Sequence, residues 1–117
     1  MQRIVIAAVA ALIAGQAAAQ APASAPSLSP AAADLKQACP AQVQAAIVHN
    51  MSPVGGHMDR AAATHDVDDV MQQVANMSKD EVRKFLGQTR SNLDQTPPAY
   101  NDFVICIFER RLTQPQA

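Results

Sequence analysis

The chain has 117 residues, of which 49% are hydrophobic, 16% charged and 3% aromatic, with no Trp and a formal net charge of −1. That length holds one domain, and nine Lys or Arg against ten Asp or Glu give no basic face of the kind nucleic acid or anionic membrane requires. With so few aromatics, the core must be built from Val, Ile, Leu, Met and Ala with three Phe.

Residues 1–19 read as a secretory signal peptide. Arg3 supplies the positive start, and Ile4 to Ala14 is an apolar run too short to span a bilayer. Gly15 and Gln16 end it, and Ala17-Ala18-Ala19 is an A-x-A cleavage site. Cleavage there leaves 98 residues with no further long apolar run, so no stable membrane insertion is expected afterwards. The short, Ala-rich signal has a bacterial character. The expected address is the periplasm, with full secretion as the alternative.

Residues 20–33, QAPASAPSLSPAAA, are rich in Pro, Ala and Ser and carry no charge. They are expected to form a disordered leader. The helical domain is expected over 34–113, with 114–117 as a frayed tail.

Within 34–113 the apolar spacing is helical throughout. In the first segment Leu35, Cys39, Val43, Ile47 and Met51 recur every four residues, behind Asp34 as a potential cap. Pro40 either kinks this helix or opens a new one at N1, with Leu35 to Ala38 as a separate turn. Ser52 to Gly56 is a break. The next helix is expected from about Met58 to Asn76, with Ala63, Val67, Val70, Met71, Val74 and Met77 on its apolar stripe. His65, Asp68, Asp69, Gln72 and Gln73 fall largely on the opposite side. Asp66 and Asp69 resemble an internal start signal, which would divide this helix.

Ser78 and Glu81 have the spacing of a capping box, flanked by Met77 and Val82 as a hydrophobic staple. The core face of that third helix is expected to be Val82, Phe85, Leu86, Thr89 and Leu93. After a break over 92–98, the Phe103–Phe108 run could be a strand in isolation. It has no second strand to pair with, and Thr96-Pro97-Pro98 is a helix entry. A central helix, apolar almost all round, is therefore expected.

Cys39 and Cys106 are the only cysteines. In an oxidising compartment they are expected to pair. The resulting loop of about 68 residues is worth roughly 4.4 kcal/mol in the chain-entropy model, comparable to the whole net stability of a small domain. Neither C-x-x-C nor C-x-x-C-H is present. The expected fold is all-α, with four helices (or five helical pieces) whose first and last are joined by this disulfide.

The search for chemistry is mostly negative. G-x-S-x-G is missing, and no spacing of the histidines and serines favours a triad. No catalytic residue, cofactor-binding residue or metal ligand is assigned. The acidic group Asp66, Asp68 and Asp69 lacks the Gly and Glu of a calcium loop and reads as carboxylates near a helix N-terminus. The functional expectation, reached by elimination, is an exported non-enzymatic protein-binding domain: an inhibitor, an immunity protein, an adaptor or a chaperone-like protein. Its partner would be another protein of the cell envelope, not nucleic acid, and the reading leaves room for a homodimer. One alternative is a periplasmic copper-binding protein using His49, His57 and His65, with Met51 and Met58 as thioether ligands. Another is an envelope stress-protection protein.

The signal-peptide reading has a direct check. N-terminal sequencing of the protein isolated from the periplasm is expected to begin at Gln20, whereas an intact Met1 would refute it.

Overall fold

A computed structural model describes residues 28–115. The expected signal peptide at 1–19, residues 20–27 of the expected leader, and residues 116 and 117 lie outside the described residues. Of the described residues 82% are helical, and there is no strand among them. Five α-helices follow in order: α1 Pro30–Ala38, α2 Pro40–Met51, α3 Arg60–Ala75, α4 Lys79–Ser91 and α5 Pro98–Thr113. Short 3-10 turns at Pro53–Gly55 and Leu93–Gln95 fill the breaks.

The first helix starts earlier than its charge pattern suggests. Ser29, not Asp34, is its N-cap, accepting a hydrogen bond from the Ala32 N–H, and Pro30 occupies the first helical position. Ser-Pro before three alanines is a good helix start, because Pro has no N–H to leave unsatisfied and Ala is the best helix former. Residues 28–33 are thus part of the fold and not of a disordered leader. Ala32 is fully buried, Leu28 packs against the core, and the Ser29 N–H donates to Gln72 Oε1. Gln72, expected on the solvent side of α3, is what holds this helix start.

Pro40 opens α2 and does not kink one continuous helix. Cys39 (φ −126°, ψ 50°) closes α1 and leads into α2. The expected stripe survives the break: Leu35, Cys39, Val43 and Ile47 are buried and Met51 is half-buried. The turn from α2 to α3 is tight. A Cβ on Gly55 would lie 1.8 Å from the His49 carbonyl oxygen, and Gly56 takes a φ of 110°.

Helix α3 is one piece. Asp59 caps it through the Ala62 N–H, so Asp66, Asp68 and Asp69 lie turns inside the helix and not at its start. They are spent otherwise: Asp66 accepts from the buried Asn50 side chain, and Asp68 pairs with Lys36 of α1. The α4 capping box forms with both of its hydrogen bonds. Removing the Ser78 hydroxyl would cost about 1 kcal/mol.

Helix α5 touches all four others. Phe103, Val104, Ile107 and Phe108 are buried on one broad face, but the expected all-round apolar helix is not formed: Asp102, Glu109, Arg110 and Thr113 make an exposed polar face. The disulfide Cys39–Cys106 joins it to the α1–α2 junction, with the Cα atoms 6.2 Å apart. Helices α3 and α5 run in the same direction, since Arg111 of α5 donates to the Met77 carbonyl and Tyr100 senses the charge of Asp66.

The tail also departs from expectation. Gln114 is buried rather than frayed, donating from Nε2 to the Ala31 carbonyl and to Asp34 Oδ2. Asp34, freed from capping, accepts hydrogen bonds from both Nε and Nη2 of Arg110, each at 2.9 Å. Arg110 and Gln114 hold its carboxyl at about 2, below the ordinary 3.8. The clamp therefore contributes stability above the unfolded-state value and loses it as pH falls from 3.8 towards 2. Both side chains are more than a third exposed, so solvent screening keeps the effect small.

Two outcomes follow from the packing. Reducing Cys39–Cys106, or replacing both cysteines with Ser, is expected to destabilise the domain by about 2–5 kcal/mol in chemical denaturation, and an unchanged midpoint would refute the staple. Asp34→Asn is expected to remove part of the loss of melting temperature between pH 4 and pH 2, with little change at neutral pH beyond that of a surface substitution. A profile parallel to that of the unaltered protein would show that the clamp carries no pH dependence.

Candidate functional site

Helices α3 and α4 each pack on α5 but scarcely on each other. Between them runs an open groove of about 410 Å³ with α5 as its floor. The cause lies in α4. Its sequence was expected to bury Val82, Phe85, Leu86, Thr89 and Leu93, but only Val82 and Leu86 are buried. Phe85 is 43% exposed and Leu93 is 48% exposed. A helix with two buried anchors can seat on α5 yet cannot also close against α3. The Phe85 ring is left at the groove wall.

The groove is apolar along its length and neutral at its rim. Val70 and Met77 of α3, Phe85 of α4, and Tyr100, Val104 and Phe108 of α5 supply its carbon surface. Gln73, Gln88, Thr89, Asn92 and Thr96 supply amides and hydroxyls. No Asp, Glu, Lys, Arg, His or Cys is among the lining residues. Tyr100 meets Phe103 edge to face, with centroids 6.0 Å apart. Burial, and then the negative charge of Asp66, push its hydroxyl pKa up, so the phenol stays protonated and remains a donor. Asn101, beneath it, donates to the carbonyls of Leu93 and Thr96 and fixes the α4–α5 connection.

A second depression, of about 500 Å³, lies between α1 and the end of α5. Its polar side chains are already engaged with one another and with the backbone. Asp34 holds Arg110, while the buried Arg111 donates to the Met77 carbonyl and to Gln114. We read this as a structural clamp.

The candidate metal ligands are dispersed over different elements. His49 is half-buried near the end of α2, His65 is exposed on α3, and His57 is exposed in the turn with a φ of 56°. Met51 and Met58 pack against the core. Among the described residues, no three His, Cys, Asp or Glu side chains form a group able to hold a metal ion. No helix among them is long and apolar enough to cross a membrane.

Sequence reasoning therefore missed the groove. Phe85 fell on the expected core stripe, and Tyr100 was unremarkable beside the denser Phe103–Phe108 run. The available signal was α4 itself, where charged residues at 79–81, 83, 84 and 90 leave only a narrow apolar face. Compared with known proteins, the chain matches no family model, and no curated protein or solved structure is significantly similar to it.

The geometry makes one local prediction. Asn101→Leu removes both donors to the α4–α5 connection and leaves the Leu93 and Thr96 carbonyls with one partner fewer. It is expected to cost about 1–3 kcal/mol and to speed hydrogen exchange in residues 92–97 above that of the rest of the chain, whereas uniform acceleration would count against a local role.

Proposed function

We propose that this is an exported, non-enzymatic protein-binding domain that seats an apolar polypeptide segment of a cell-envelope protein between α3 and α4. The observation that carries the reading is the groove: a continuous carbon surface around the half-exposed Phe85, rimmed by neutral amides. An apolar trough offers affinity through burial, at about 25 cal/mol per Å². Amide side chains at its rim offer hydrogen bonds to peptide groups, which every polypeptide carries. Free aromatic side chains at the wall of such a trough are the usual anchors of protein interfaces. The lining residues contain no nucleophile–base pair. Export is supported by the way residues 1–19 read as a signal peptide and by a disulfide of the kind oxidising compartments maintain.

Site-specific crosslinking tests the reading. A photoreactive amino acid placed at Gln88, on the groove rim, is expected to trap a defined envelope protein in living cells. Phe85→Ser is expected to weaken that capture at least tenfold while lowering stability by about 1 kcal/mol or less. Equal capture from position 88 with and without Phe85, or capture only from the distant exposed Val54, would overturn the proposal.

A further inference from the structure

The groove is not alike at its two ends. Along α3, Asp66, Val70, Gln73 and Met77 follow one another at the spacing of a single helix face, and Val70, Gln73 and Met77 line the groove. Asp66 therefore stands at its N-terminal end, where its charge acts on Tyr100 of the groove floor. Asp69 lies on the neighbouring turn, exposed, one turn before Gln73. At the other end Met77, Phe85 and Phe108 are purely apolar.

The carboxylates of the fold divide accordingly. Asp34 and Asp68 are paired with cations of other helices, Arg110 and Lys36. Asp66 and Asp69 have no ion-pair partner among the described residues, and the hydrogen bond that Asp66 accepts from Asn50 is to a neutral amide. The charge at the Tyr100 end thus stays uncompensated beside a neutral rim and a low-dielectric floor, which strengthens its attraction for a cation.

We propose that the segment seated in the groove places apolar side chains at the Phe85–Phe108 end and a Lys or Arg at the Tyr100 end, against Asp66 and Asp69. The inference rests on the docking reading above and adds the polarity and the direction of the bound segment. An acidic segment is rejected by the same two carboxylates, so specificity comes from repulsion as well as attraction.

Selection from a random twelve-residue peptide display library tests this, using the oxidised protein produced through export. Enriched peptides are expected to carry two or more large apolar residues with a Lys or Arg displaced to one side. Their binding should fall at least tenfold on Phe85→Ser. The double variant Asp66→Asn, Asp69→Asn keeps an acceptor for Asn50; it should weaken Lys- or Arg-bearing peptides at least fivefold and leave their Gln-substituted versions unchanged. Raised salt should reproduce that loss. Groove-dependent peptides with no preference for Lys or Arg would overturn this inference and leave the docking reading standing. No enriched peptide that depends on Phe85 would overturn both. Self-association of the protein by sedimentation, abolished by Phe85→Ser, would name a second copy as the occupant and also overturn the inference.

Discussion

Helix α5 has one broad apolar face that all four other helices help to cover, and that requirement organises the molecule. Phe103, Val104, Ile107 and Phe108 follow the i, i+1, i+4, i+5 spacing of one broad face and are all buried, while Asp102, Glu109, Arg110 and Thr113 stand exposed behind them. A helix of this kind cannot rest against one partner; it needs several. Helices α1, α2, α3 and α4 each supply part of the cover, and the disulfide at Cys106 fixes one of them at a chosen height along it. The cover is tight where α1 and α2 meet α5. It is loose where α3 and α4 should meet each other, and the groove is the part of the α5 surface for which this chain has no further helix.

Polar groups close the edges of this arrangement. Asn50 ties the end of α2 to α3 through the Ala63 carbonyl and Asp66. Asn101 ties α5 to the loop before it. Arg111, 2% exposed, reaches the Met77 carbonyl at the α3–α4 turn. Buried polar side chains of this sort are costly unless satisfied. Asn101 and Arg111 are spent on main-chain carbonyls at helix connections, where the helical hydrogen-bond ladder has run out, and Asn50 is spent on the Asp66 carboxylate and a carbonyl in the first turn of α3. The apolar core sets the layers, and these contacts set where each helix stops.

Much of this was legible in the residues. The every-fourth-residue stripe through Cys39, the Ser78–Glu81 box and the pairing of the two cysteines follow from local rules with one dominant physical cause each. The α1 start was misjudged because Pro, Ala and Ser are as common in leaders as at helix starts. What decides between them is Gln72, 43 residues away, which local composition does not reveal. Gln114 and Arg111 were hidden for the same reason: a polar residue near a terminus declares its burial only through distant partners. Phe85 is the reverse case. Periodicity placed it towards the core, but periodicity gives a direction and not the distance to the next helix.

The clamp between α1 and the end of α5 brings Ala31 and Gln114 into hydrogen-bond contact, 2.9 Å apart, although 83 residues separate them. The two extremities of the fold are therefore neighbours, and the disulfide closes a smaller ring inside the larger one. In topological terms the domain is nearly a circle with a nick. A short linker across that nick would let the chain be reopened elsewhere, and the exposed turn around Val54 is the natural place. Such a permuted chain would keep the groove between α3 and α4 intact while moving the new ends to the turn between α2 and α3.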